Sequence, residues 1–136
     1  MADAVSRTIR IAAALIDDGD GRLLLVRKAG SPWFMQAGGK IEGQESALAA
    51  LRRELAEEIG LALRARDATY LGRFSAPAAN EPDTIVEAEL FHLRVRHVPI
   101  VQAEIAEAIW IGIAEAAHLP LAPLTRDVVL PLAETL

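Results

Sequence analysis

Glu54, Glu57 and Glu58 are the side chains whose types and spacing first point to chemistry. Successive residues of a helix turn by about 100°, so the three fall within an arc of roughly 100° on one face. Leu48, Leu51, Leu55 and Ile59 recur at three- and four-residue intervals and form an apolar stripe beside that arc. A helix over residues 45–59 would therefore put one face into a core and present three carboxylates on the next. Gly60 stands where a C-cap glycine belongs, so the glutamates occupy the last turns. Anions are disfavoured there by the helix dipole, and like charges at i, i+3 and i+4 repel by a few tenths of a kcal/mol per pair (~0.2–0.5). A hard divalent cation such as Mg²⁺, which takes carboxylate, water and phosphate oxygens, gives a reason for the arrangement. The alternative is a solvated acidic face, a common feature of surface helices.

The surrounding residues separate these readings. Gly39, five residues, Glu45, seven residues, and then Arg53-Glu54-Leu55-Ala56-Glu57-Glu58-Ile59-Gly60-Leu61 span 23 positions. The stretch resembles the Nudix box at all nine of its specified positions, a far more specific match than a lone glycine motif. A looser likeness surrounds it: an apolar strand precedes Gly38-Gly39-Lys40, and a Glu104-to-Trp110 segment leads into a Leu-Pro-rich C-terminal part. Two positions depart from many relatives, which carry proline where this chain has Ala37 and Gln44. Both changes affect loop rigidity and remove no ligand.

The resemblance implies a metal-dependent hydrolase of the α/β class, with the Nudix fold of a mixed β-sheet sandwiched between α-helices. It implies that Glu54, Glu57 and Glu58 hold one or more Mg²⁺ or Mn²⁺ ions, with the Gly39 carbonyl as a further ligand. Such ions would neutralise a diphosphate and orient a water. Arg53 is expected to orient a neighbouring glutamate through an ion pair, against the alternative of an ordinary surface arginine. Glu45, near the helix N-terminus, suits the dipole and is expected to support the site from outside it. Relatives often carry a general base outside the box. Glu104, six residues before Trp110, is the first candidate for that base and a further metal ligand, and Glu81 in Asn80-Glu81-Pro82 is the second. Either could be a plain surface acid.

Lys40 and Arg27 are candidate phosphate donors, and Trp33 and Phe34, ahead of the box, are candidates to stack on a base. Met35 reads as packing and Trp110 as core. His92, His97 and His118 lack metal-ligand spacing and read as surface or packing residues. Ser46 has no His/Asp partner pattern, which leaves serine-type nucleophilic catalysis without support.

These residues need elements to hold them. Residues 8–16 and 22–28 read as strands joined by the turn-forming cluster Asp17-Asp18-Gly19-Asp20-Gly21. A breaker-rich loop over residues 29–43 leads into the helix. Strands follow over residues 68–76, 84–97 and 107–113, a loop lies at 77–83, and a closing helix is expected over 125–136. With no repeat or linker, the whole of residues 1–136 reads as one domain. The 52% hydrophobic content suffices for a core, built from Ala, Leu, Ile and Val because aromatics are only 4%. The absence of cysteine excludes disulfides and thiolate chemistry. A net charge of −5 argues against nucleic-acid binding. The Met1-Ala2-Asp3 start and the six-residue apolar run ending at Ile16 fit neither a signal peptide nor a membrane span, so the expected place is the cytoplasm, with no membrane partner.

The expected partner is a small-molecule nucleotide, and the resemblance leaves room for a homodimer. A chain this short, with no appended domain expected, resembles the MutT-like group, which converts nucleoside triphosphates to monophosphate and pyrophosphate. Pro77, sixteen residues beyond Leu61, is a spacing shared with ADP-ribose hydrolases of the family, although loops collect proline in any case. A non-catalytic nucleotide-binding module is a further alternative that an intact glutamate set disfavours. A structural acidic protein would leave the box unexplained.

Overall fold

In the computed structural model, which describes residues 7–136, the aliphatic runs form a mixed sheet with helices against both faces. The Met1-Ala2-Asp3 start lies outside the described residues. Strand β1 (Arg7–Asp17) and β2 (Arg22–Lys28) are joined through the Asp/Gly turn, where Gly19 and Gly21 both take φ of 82°. The two strands pair only at Asp17↔Leu23 and then diverge. The segment expected as an unbroken loop supplies two short strands, β3 (Phe34–Met35) beside β2 and β4 (Gly38–Lys40) antiparallel to β1. Along its other edge β1 runs parallel to β6 (Thr84–Arg94) from Arg7↔Thr84 to Asp17↔Arg94, and β5 (Thr69–Pro77) follows antiparallel to β6. Strand β7 (Ile105–Gly112) pairs with β2. The box strand β4 thus occupies the gap left where β1 and β2 part.

Helix α1 (Ala47–Ile59) begins two residues later than the periodicity suggested. Ser46 is the N-cap, its hydroxyl accepting the Ala49 N–H at 3.1 Å, so Glu45 precedes the helix. Gly60 closes the helix at φ 68°, a conformation glycine adopts without strain. Leu51, Leu55 and Ile59 are fully buried against Ala12, Ala14, Leu24 and Val26, with Leu48 at the margin. The alternate residues Ala13, Leu15, Leu23 and Leu25 face the other way. They pack on α2 (Ile113–Ala116), a π-helical turn (Thr125–Val129) and α3 (Leu130–Ala133). The closing helix expected over residues 125–136 is therefore two short elements in succession. No helix among the described residues is long and apolar enough to cross a membrane.

Candidate active site

The site is built where β4 meets the last turns of α1. Close approach of backbone requires the first glycine of β4, and the second lies directly against a box glutamate. A Cβ at Gly38, whose φ is 149°, would overlap the backbone of Ala12 and Ala13, and one at Gly39 would overlap the Glu54 carboxylate. The three box glutamates, equivalent in the sequence, differ in the structure. Glu58 is 3% exposed and its Oε1 accepts the Gly38 N–H at 3.1 Å. Glu54 is half-buried and Glu57 is exposed. Burial pushes the Glu58 carboxyl up to about 7, and the charges of Glu54 and Glu104 add to the rise, while the Gly38 N–H and Lys28 oppose it.

Arg53 holds this arrangement together. Its Nε and Nη2 donate to the two carboxylate oxygens of Glu45 at 2.9 and 2.8 Å, a bidentate pairing. Nη1 donates to Glu54 Oε2 at 2.5 Å and lies 3.7 Å from Glu57 Oε2. Nη2 also donates to the Lys40 carbonyl at 3.0 Å, tying the helix to β4. The guanidinium holds Glu45 down to about 2, and the paired carboxylates raise Arg53 above its ordinary value. Glu45 further accepts the Glu42 N–H at 2.9 Å.

The donor set offers oxygen atoms only, which suits a hard cation. The buried Glu58 carboxyl, flanked by two other carboxylates, is the kind of group whose charge a divalent ion would stabilise. Among the described residues, no three acidic or histidine side chains converge closely enough to hold a metal ion.

Gly38, Gly39 and Lys40 also line a cavity of about 150 Å³ on the opposite face of the sheet from α1. Its apolar wall includes Ile11, Val86 and Leu124. Two amides provide its polar edge. Gln36 accepts the buried Thr125 hydroxyl at 2.6 Å, and Asn80 accepts the Ser31 hydroxyl at 3.0 Å, so the –NH₂ group of each is left for a ligand. Glu81 and Lys28 complete the rim.

Several residues singled out by sequence lie elsewhere. Phe34 is 8% exposed and packs in the core with Leu15, Leu25 and Leu121, so it offers no face for stacking. Pairing of β3 with β2, and a bridge to Leu121, turn it inward. Trp33 is half-buried and does not line the cavity. Arg27 is paired with Glu107 at 2.8 Å and with the Ser31 carbonyl at 3.0 Å and does not line the cavity. Its neighbour Lys28 lines the cavity and lies near enough to Glu58 for its charge to bear on it, the alternation of β2 being interrupted by a register irregularity between Arg27 and Lys28. Lys40 is exposed at the cavity rim.

The two base candidates occupy different surroundings. Glu104 is 67% exposed beside Lys28 Nζ, at 3.5 Å, and close enough to Glu58 for its charge to bear on it. Glu81 lines the cavity and lies 3.9 Å from Arg7. The histidines are occupied or peripheral: His92 pairs with Asp17 at 2.6 Å, His97 meets the Ile59 carbonyl at 2.8 Å, and His118 is exposed. Trp110 packs partly buried against the α1-side core, its indole donating to the His97 carbonyl.

Comparison with known proteins agrees with this geometry. The NUDIX domain model matches residues 7–132. The chain is 35% identical over 127 residues to the CTP pyrophosphohydrolase of Escherichia coli (strain K12), covering 86% of this chain and 85% of that one. The MutT protein of Methanosarcina mazei Go1 superposes with a TM-score of 0.80 at 21% identity, over 98% of this chain and 97% of that one. The NUDIX domain of Shewanella oneidensis NrtR, solved with ADP ribose, gives 0.76 at 18% identity, over 94% and 88%. With the complete box running from β4 through α1 and a family match over residues 7–132, the chain belongs to the Nudix family.

Proposed function

We propose that this protein hydrolyses a nucleoside triphosphate to the monophosphate and pyrophosphate in a metal-dependent reaction. The observation that carries this reading is the double role of β4. Gly38 and Gly39, which line the cavity, also adjoin Glu58 and Glu54, so a base seated in the cavity would leave its phosphates beside the carboxylates. Glu54, Glu57, Glu58 and the Gly39 carbonyl would hold Mg²⁺ or Mn²⁺, which when bound neutralises phosphate charge and lowers the pKa of a coordinated water. Lys28 and Lys40 supply cationic contacts to the phosphate oxygens. Arg53 fixes Glu54 in place. Glu104 accepts the proton as water adds to phosphorus and the bond to the departing phosphate oxygen breaks. Glu81 is the second candidate for that proton.

The amide donors of Gln36 and Asn80 suit a base that presents acceptor atoms, and the CTP-hydrolysing relative makes a pyrimidine nucleotide the first substrate to try. The ADP-ribose alternative gains little from Pro77, which ends β5 opposite Ile85, is exposed, and takes no part in the cavity. The test is hydrolysis of CTP, dCTP, UTP, ATP, GTP and ADP-ribose, read as pyrophosphate release from the triphosphates and as AMP and ribose 5-phosphate from ADP-ribose, with Mg²⁺ and after exhaustive chelation. The expected outcome is Mg²⁺-dependent release of pyrophosphate from triphosphates. Preferential cleavage of ADP-ribose, or undiminished turnover in chelator, would overturn the reading.

A further inference from the structure

We propose that residues 97–102 form a strap that positions Glu104 against the catalytic end of α1, with Gln102 as its positioning residue. The carbonyls that end a helix lack partners within it. In α1 three of them are taken up by this one segment. Gln102 Nε2 donates to the Ala56 carbonyl at 3.0 Å, and the Gln102 backbone N–H donates to the Glu58 carbonyl at 3.1 Å. The Ile59 carbonyl accepts the Ile100 N–H at 3.0 Å and faces His97 Nε2 at 2.8 Å. Gly60, at φ 68°, turns the chain out of the helix beside Ile100 and the Gln102 amide.

Burial does not hold the strap. Val98, Ile100 and Val101 are 84%, 63% and 45% exposed, so polar contacts set its course. It is anchored at its start by the Trp110 indole, which donates to the His97 carbonyl at 2.8 Å. At its end, Gln102 opens a tight turn closed by the Ile105 N–H donating to the Gln102 carbonyl at 3.1 Å. Glu104 sits within that turn. Ala103, just before it, takes φ of 55°, a left-handed conformation in which a non-glycine residue is strained. Such strain persists only where both flanks are held. Gln102 is tied to α1, and the Glu104 carbonyl accepts the Ala29 N–H at 2.8 Å. The residue that ends the strap thus bonds the backbone of Glu58, while the turn it opens carries Glu104.

The proposal rests on the reading of Glu104 as the proton acceptor, and a double-mutant cycle separates the two. Glu104→Gln alone tests the base. Gln102→Ala should lower kcat about fivefold, the size of one lost hydrogen bond, with the KM for nucleotide and the Mn²⁺ affinity unchanged. In a Glu104→Gln background the same change should do nothing further, because there is no carboxylate left to position. Amide exchange at Ile100 and Gln102 should accelerate in Gln102→Ala, reporting release of the strap independently of turnover. Should Glu104→Gln slow turnover while Gln102→Ala leaves kcat unchanged, or lowers it equally in both backgrounds, the strap is overturned and the base stands. A silent Glu104→Gln overturns both.

Discussion

The two faces of the sheet bury similar aliphatic side chains yet are closed in different ways. One face is covered by α1, a single 13-residue helix capped at both ends by Ser46 and Gly60. The other is covered by α2, a π-helical turn and α3, of four, five and four residues. Groups that must meet a cation and phosphate are best carried on a rigid element whose rotamers are locked by packing, and α1 provides this for Glu54 and Glu58. A wall assembled from short pieces can vary its shape with few substitutions, and it contributes Leu124 and, through Thr125, the orientation of Gln36. Under the proposed function, chemistry and base choice would be divided between the faces, with β4 touching both.

Breaking the packing of each face gives the largest expected effect. Leu55 is fully buried at the centre of α1, and Leu55→Ala should cost about 2–5 kcal/mol. Leu124→Ala, at 4% exposure beside the cavity, should cost toward the lower end of that range and raise KM more than it lowers kcat. Urea unfolding and steady-state kinetics check both. If Leu124→Ala reduced kcat alone, the division between the faces would be wrong.

Next in size is the pH dependence of the metal-free protein. Burial raises Glu58 from 4.5 to about 7, so the folded state holds this proton more tightly than the unfolded chain does. Its contribution is fully present below the unfolded value and is lost as pH rises through about 7. At about 1.4 kcal/mol per unit, the loss approaches roughly 3 kcal/mol. Glu45, Asp18 and Glu89 are shifted downward instead, and their contributions are lost as pH falls. The difference in melting temperature between the parent and Glu58→Gln therefore isolates Glu58. It should widen in favour of the variant from about pH 5 to pH 8. A constant difference would contradict the burial of that carboxylate.

The smallest effect is expected at the base cavity. Gln36→Ala removes one amide donor and leaves the Thr125 hydroxyl without its partner. It should raise KM several-fold and flatten the preference among nucleotides, with kcat nearly unchanged. Equal KM for every nucleotide in both proteins would remove Gln36 from base recognition.

What could be read in advance follows the same division. The α1 stripe, the clustered glutamates and the Gly60 cap are local, periodic signals, and each appears in the structure where spacing placed it. Arg53, expected to orient a glutamate, pairs with Glu54 and additionally with Glu45 and the Lys40 carbonyl. The unequal burial of Glu54, Glu57 and Glu58 was not legible, because it depends on β4 lying against one side of the helix. The inward orientation of Phe34 was hidden for a related reason, since it is set by the pairing of β3 with β2 and no periodicity can be seen in a two-residue strand flanked by breakers. Gln36, Lys28 and Gln102 were not singled out, since each acquires its position through partners distant in sequence, at Thr125, Glu104 and Ala56.

The central claim is that the box glutamates serve catalysis and not the solvation of a helix face. Glu57 tests it most directly, because it is exposed and its change to Gln leaves packing untouched. Melting temperature without metal and kcat at saturating Mg²⁺ should be measured on the parent and on Glu57→Gln. Loss of one repulsive charge from the last turns should leave the variant as stable as the parent or slightly more so. Its kcat should nevertheless fall at least roughly a hundredfold, since the bound ion supplies several kcal/mol of transition-state charge stabilisation. Unchanged stability with unchanged kcat would show that the face is merely solvated, and would contradict the assignment of the site.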